Sequence, residues 1–284
     1  MTRLLSIHPA VLNCMKNYDD LISFKSLYEA NKGCLNGKRS KAEAIVFQER
    51  LGTNLTALHY KLKYKQYRIS GYHRFMIYDP KEREIQAISY EDRIVQKAIC
   101  DIFLNPLLDR YLIFYNVACR KNKGTALAIK YLKNSLRKMW LIYGDDFYVI
   151  KIDIRKYFES KDHDVLKKKL QHIVRDDKIL ELLSGIIDSF NCETSKGLPM
   201  GNQTSQSFAL LYLNDVDHFI KEKLFIRYYL RYMDDMILLV ENKKEAIRVF
   251  NEIKSKVTME KLVINPKSTI IKSSKGFEFL GTQY

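Results

Sequence analysis

The sequence predicts an α+β fold. Three features lead there: a helical, basic stretch over residues 1–70, short apolar strand patterns at 75–88, 147–154 and 226–240, and amphipathic helical segments around them. The 284 residues are ample for a sizeable core, organised as two lobes rather than independent domains. No internal repeat and no Gly/Ser/Pro-rich linker divides them, so the lobes are expected to interleave along the chain.

In order, residues 1–70 read as helices punctuated by Gly33, Gly37 and Gly52. The stretch HYKLKYKQYR (59–68) interleaves aromatics with cations, which suits phosphates and sugar or base faces; the plainer reading, a solvated amphipathic helix whose tyrosines face the core, is preferred. FMIYDPKEREIQAI (75–88) alternates and breaks at Asp79-Pro80, predicting a β-hairpin whose turn carries Lys81 and Arg83. Asp92 is read as the cap of a helix presenting Ile94, Val95, Ala98, Ile99, Ile102 and Phe103 on one face, limited by Pro106. From Arg120 to Lys138 there are seven basic residues and no acidic one, around a Lys123-Gly124-Thr125 turn, and a phosphate-binding surface is the preferred reading.

FYVIKIDI (147–154) is a strand ending at Asp153, followed by helix to about residue 190 and the turn GLPMGNQ (197–203). A helix near 205–223 spaces Phe208, Tyr212, Val216 and Phe219 helically, and IRYYLRYMDDMILLV (226–240) gives two strands meeting at Met233-Asp234-Asp235. LVINPKSTII and GFEFLGTQY supply strand, turn and strand.

Composition narrows the partner. Lys plus Arg number 48 against 33 Asp plus Glu, a net charge of +15, while 46% hydrophobic and 12% aromatic residues exclude a disordered basic tail. That charge concentrates polyanions, nucleic acid first and acidic lipid second. Cys14, Cys34, Cys100, Cys119 and Cys192 form no C-x-x-C pair and read as buried or incidental thiols of a reducing compartment. With no apolar signal core and no stretch near the ~18 apolar residues of a bilayer span, a cytoplasmic location and no membrane partner are expected.

Adjacent aspartates at the tip of an apolar hairpin repel unless a cation holds them. A pair of Mg²⁺ ions bound by Asp234, Asp235 and the strand-end Asp153 would satisfy them and suit in-line phosphoryl transfer. Gly144-Asp145-Asp146 is a second such pair, but it precedes every other motif and is read as the turn into the Asp153 strand.

KIDIRKYF (151–158), GLPMGNQTSQSFALLYL (197–213), YMDD (232–235), Asn265-Pro266-Lys267 and Phe279-Leu280-Gly281, in that order, resemble reverse transcriptases. FMIYDPKEREIQAI, SYEDRIVQKAI and the 118–125 segment resemble the fingers motifs of bacterial enzymes close to group II intron reverse transcriptases, and MGNQTSQ is most similar to the diversity-generating retroelement type. The resemblance spans about residues 72–281 and implies a right-hand polymerase fold: fingers over 1–140, palm over 141–284, and a fingers-associated helical segment near 161–197.

It further implies that Asp153 and Asp234 ligate two Mg²⁺ ions, with Mn²⁺ a possible substitute, supported by the Ile154 carbonyl and Asp235. Lys81 and Arg83 would hold the triphosphate, Phe158 would be the steric gate against a 2′-OH, and Met200, Gly201 and Gln206 would line the nucleotide pocket. Lys267 would be the acid for pyrophosphate, Phe279, Leu280 and Gly281 the primer grip, and Arg120, Lys121, Lys123, Lys130 and Lys133 contacts to nucleic acid.

Three departures matter. Met200 stands where most relatives have Gln, implying a less discriminating pocket and lower fidelity. In FESKDH (158–163), Glu159 and Lys161 replace the Pro and Ile often seen, and Leu210 replaces a common Asn; these changes are expected to touch packing more than chemistry. The sequence stops three residues after Gly281, so a thumb is expected to be missing or supplied by an accessory protein, another subunit or a structured RNA, with poor processivity for the isolated chain. The implied partners are an RNA template, a DNA or RNA primer and dNTPs. Two other readings stand beside RNA-directed DNA synthesis: a phage-defence enzyme making untemplated or protein-primed DNA, and a catalytically idle RNA-binding scaffold.

Overall fold

The computed structural model describes residues 16–78, 82–191 and 193–284, and helices and antiparallel sheets in it make an α+β fold. The chain forms two compact units. One holds the described residues up to Arg110 together with Leu170–Ser189 and Pro199–Ser205; the other holds Tyr111–Lys169, Phe190–Leu198 and Gln206–Tyr284.

In the first unit, helices Tyr18–Ile22, Phe24–Leu35, Ala42–Glu49 and Leu51–Lys63 bury Leu21, Leu27, Leu55, Leu58 and Leu62. Asn17 starts the first with a reciprocal capping box to Asp20, and Ser23 caps the second. The tyrosines of 59–68 divide, in part against expectation. Tyr67 is buried, its hydroxyl donating to Asp92 at 2.7 Å, whereas Tyr60 and Tyr64 are exposed and stack on each other at 6.0 Å. One helical turn separates the exposed pair, so both lie on the solvent stripe.

The hairpin forms as expected: β1 (His73–Ile77) pairs antiparallel with β2 (Arg83–Ala87). Its turn, with Lys81, lies outside the described residues. Helix Tyr90–Ala98 follows, and its cap is Ser89 rather than Asp92. The Ser89 hydroxyl accepts from the Asp92 N–H and donates to its carboxylate at 2.8 Å, so Asp92 sits three residues inside the helix. There it also receives the Ser70 N–H at 3.0 Å, which explains how a charged residue can be buried at this point.

In the second unit, a four-stranded antiparallel sheet has the order β4 (Tyr228–Tyr232), β5 (Asp235–Val240), β3 (Tyr148–Ile152), β6 (Thr269–Lys272). β3 and β5 are central, so MILLV is a continuous buried run rather than an alternating one. Against one part of it pack Ala128, Leu132 and Met139 of helix Thr125–Tyr143, with Phe147, Val149, Leu230, Ile237 and Leu239. Asp145 and Asp146 do form the turn into β3: Gly144, at φ +55°, ends the preceding helix, and Asp146 pairs with Lys272 at 2.9 Å. The helix expected over 205–223 is broken into Gln203–Tyr212, Asn214–His218 and a wide turn Phe219–Lys223; Phe208, Tyr212 and Val216 are buried as the spacing predicts. Strands β7 (Glu278–Phe279) and β8 (Thr282–Gln283) close a terminal hairpin.

Among the described residues no helix is long and apolar enough to cross a membrane. Cys34, Cys100 and Cys119 form no disulfide, and Cys14 and Cys192 lie outside the described residues.

Candidate active site

Ile152, the last residue of β3, lies opposite Met236 of β5, so the following Asp153 emerges at the sheet end where β4 turns into β5. Tyr232 pairs with Asp235 across that turn, leaving Met233 and Asp234 as its two central residues. Met233 takes φ +55°, a strained region for a side chain of its size, and this tight path puts Asp234 at the tip.

Burial raises the Asp234 carboxyl above its ordinary range, and the nearby Asp153 charge raises it further. A backbone hydrogen bond and the Lys161 and Arg231 charges oppose that rise without cancelling it. Asp153 is held from the other side by the NPKS loop: Asn265 Nδ2 donates to its Oδ2 at 2.6 Å, Asn265 N–H donates to its carbonyl at 2.8 Å, and its own N–H donates to Ser268 Oγ at 3.0 Å. Three converging protein carboxylates or imidazoles do not occur among the described residues. Two repelling carboxylates do suit Mg²⁺, which takes one or two carboxylates and completes its octahedron with carbonyls, water and substrate phosphates.

Arg231 is the support that sequence reasoning missed. Both Arg231 and Asp217 are 0% exposed, and the guanidinium grips the carboxylate with two bonds of 2.7 Å. Its remaining donors reach the carbonyls of Met233 at 2.8 Å and Leu210 at 2.9 Å, fastening the strained turn to helix Gln203–Tyr212. Tyr229 adds a hydroxyl to Asp217 at 2.6 Å. Burial alone would lower the Arg231 pKa, but the Asp217 charge and hydrogen bonds together with Tyr157 and Tyr229 outweigh it, and the net shift is upward. An Arg immediately before the YMDD run was the available signal; its partner, 14 residues away in another element, had none.

The sequence profile of the family described as Reverse transcriptase (RNA-dependent DNA polymerase) matches residues 79–284. The chain belongs to that family. The chain is also similar to two curated proteins. The chain is 24% identical over 138 residues to the Putative COX1/OXI3 intron 1 protein of Saccharomyces cerevisiae, covering 46% of this chain and 16% of that protein. It is also 24% identical over 291 residues to Protein YkfC of Escherichia coli, covering 83% of this chain and 72% of that one. Among solved structures, telomerase of Candida albicans in complex with a fragment of telomeric RNA aligns with TM-score 0.58 at 12% identity, over 78% of this chain and 46% of that chain. Apo telomerase of Candida tropicalis aligns with TM-score 0.54 at 16% identity, over 81% and 57%. These confirm a right-hand reverse transcriptase fold, and the chain spans about half the length of those telomerase chains.

The other sequence-predicted residues fall as follows. In the first unit Arg83 is exposed at the start of β2, opposite Ile77. Met200 and Gly201 follow the GLP turn, which is clipped to β2 by Gln86 N–H to the Met200 carbonyl (3.2 Å) and Met200 N–H to Gln86 Oε1 (2.9 Å). Gly201 has φ +101°, and an added Cβ would come within 3.1 Å of Ile85, so the hairpin itself demands glycine here. In the second unit Gln206 is exposed on its helix, Phe158 is half-buried, and Ile154 is buried and bridges to Ile264. Lys267 is exposed, its N–H bound to Asn265 Oδ1 at 3.1 Å.

Phe279 is buried in the core cluster with Leu280 packed against it, and Leu280 and Gly281 both take positive φ, +51° and +72°, as a tight hairpin turn requires. Of the basic run, Lys121, Lys130 and Lys133 are exposed. Arg120 donates to the carbonyls of Ile113 and Asn116, and Lys123 to that of Phe114 at 2.7 Å while lying over its ring. Lys161, expected to touch packing more than chemistry, is fully buried against Tyr157 and Phe158.

Proposed function

We propose that the chain is an RNA-directed DNA polymerase of a bacterial retroelement, joining deoxynucleotides to a primer end on an RNA template. The observation that carries this reading is the Asp153–Asp234 pair: the Asp153 charge raises the Asp234 carboxyl, which sits on a half-buried strained turn that a bidentate Arg231–Asp217 pair holds in place. Such a cluster is unfavourable for an idle scaffold and useful for binding Mg²⁺ and a triphosphate.

Asp153 and Asp234, with Asp235 and the Ile154 carbonyl, are the residues that would hold the metal. Bound there, Mg²⁺ supplies charge stabilisation to the transferring phosphoryl group and to the entering and leaving oxygens. Asn265 and Ser268 orient Asp153, so the carboxylate is aimed before substrate arrives. Phe158 stands as the gate against a 2′-OH, Arg83 and Lys81 bind the triphosphate, and Met200, Gly201 and Gln206 line the base pair. Lys267 protonates the departing pyrophosphate, and the Phe279-Leu280-Gly281 turn, rigid because Phe279 is anchored in the core, supports the primer. In this reading fingers functions belong to residues 1–140 and 161–197, and palm functions to the rest of 141–284. Lys121, Lys130 and Lys133 contact the nucleic-acid backbone, with Arg120 and Lys123 shaping the loop beside them.

Incubation with a DNA primer on an RNA template of defined sequence, four dNTPs and Mg²⁺, followed by product sequencing, tests the proposal. Complementary DNA supports it. Products unrelated to the template favour the defence-type reading, and no product favours the scaffold.

A further inference from the structure

Lys161 is buried completely, yet the reaction as described gives it no task. Its Nζ donates to the Tyr157 carbonyl, one helical turn back, at 2.8 Å. The same nitrogen lies 3.2 Å from the centroid of the Tyr157 ring and 4.3 Å from that of the Phe158 ring. The two rings meet edge to face, 5.9 Å apart and inclined by 74°, so the amine sits in the angle between them. Tyr157 cannot swing away, because its hydroxyl donates to the Ala209 carbonyl at 2.5 Å. Backbone bonds fix both sides of the segment: Leu198 N–H to the Phe158 carbonyl at 2.8 Å and Gly197 N–H to the Lys161 carbonyl at 2.7 Å. The amine touches both rings at once and so adds a second tie, beside their direct edge contact, between Phe158 and the anchored Tyr157.

An aliphatic side chain would fill this space without desolvating an amine. The amine is therefore retained at a cost, and what it gains is a directional contact with two aromatic faces, whether as ammonium over the ring or as N–H donor to it. We infer that Lys161 is a positioning residue for sugar selection: its Nζ clamps Phe158 to Tyr157, fixing the ring that excludes ribonucleotides. This rests on the reading of Phe158 as the steric gate. Lys161 touches no substrate and acts through the ring.

The test compares kcat/KM for a matched dNTP and the corresponding rNTP in single-nucleotide primer extension by wild type, Lys161→Met, Lys161→Leu and Phe158→Val, with denaturation midpoints of each. The second aliphatic variant serves should methionine not pack. Loss of the clamp is expected to lower the dNTP-to-rNTP ratio about tenfold, as a ring contact of this kind is worth, chiefly by improving rNTP use, while the midpoint holds or rises. A ratio unchanged in folded Lys161 variants while Phe158→Val collapses it overturns the inference alone. An equal fall for both nucleotides, ratio preserved, also overturns it, since that is what a merely structural lysine gives. An unchanged ratio in Phe158→Val removes the gate reading and the inference with it.

Discussion

Exchanging Asp234 for asparagine should stabilise the protein in the absence of divalent metal. The carboxyl is raised by burial and by Asp153, so above its folded-state pKa the native state carries a charge it disfavours. Protonation relieves that cost, and the advantage of Asp234→Asn should accordingly be greatest at neutral pH and shrink as pH falls through the raised pKa. Denaturation midpoints with and without Mg²⁺ check this; equal midpoints for the two proteins at every pH would show the carboxylate pair to be unstrained. At this scale the residue types were legible in advance. Aspartates at the tip of an apolar hairpin are conspicuous because their local surroundings disfavour them. Lys161 was legible only as a change that touches packing more than chemistry, and only the fold puts its amine between two rings.

The elements around the site make the support testable. Arg231→Met leaves the Asp217 carboxylate buried with the Tyr229 hydroxyl and a long 3.5 Å bond from the Asn116 amide but no countercharge, and should cost about 3–5 kcal/mol by chemical denaturation, the usual penalty for breaking a buried pair. Adding Asp217→Leu should recover part of that loss, and a double variant as unstable as the single one would mean the pair acts through something other than its charges. A second device lies beside Asp217 on the same helix, Asn214–His218. Burial lowers the His218 pKa, but its bonds to the Tyr111 carbonyl and the Glu222 carboxylate outweigh this, leaving it above 6.5. A raised imidazole stabilises the fold below its unfolded pKa and loses that contribution as pH rises through the folded one. The difference in midpoint between wild type and His218→Gln should thus be largest below about pH 6 and fade on the alkaline side. A difference independent of pH would contradict the assignment.

Strands β3, β4 and β5 were readable because β-branched and aromatic runs bounded by turns carry their own signature. The Asp92 cap was misread for the opposite reason. Ser89, Glu91 and Asp92 all suit a helix start, and the choice of Ser89 depends on which hydroxyl reaches which N–H. The break in the 205–223 helix also escaped notice, since buried Phe208, Tyr212 and Val216 keep the same spacing on either side of it.

For the molecule as a whole, the proposed function gives the net charge of +15 an address. Lys130 and Lys133 are exposed one turn apart on helix Thr125–Tyr143, and in the proposed reading they meet the nucleic-acid backbone. Replacing both by glutamine should weaken binding of an RNA–DNA duplex without regard to sequence, and flatten the plot of log affinity against log salt by about 2, roughly one per lost contact. Fluorescence anisotropy across a salt series reads this directly; an unaltered slope would place the duplex elsewhere.

Everything above depends on Asp153 and Asp234 serving one polymerising site. Single-turnover incorporation of a matched dNTP on an RNA template, wild type against Asp234→Ala, tests that most directly. The account predicts steady incorporation by the wild type and a loss of at least about a thousandfold in the variant, as removal of a central catalytic group produces. Equal rates for the two proteins would contradict it.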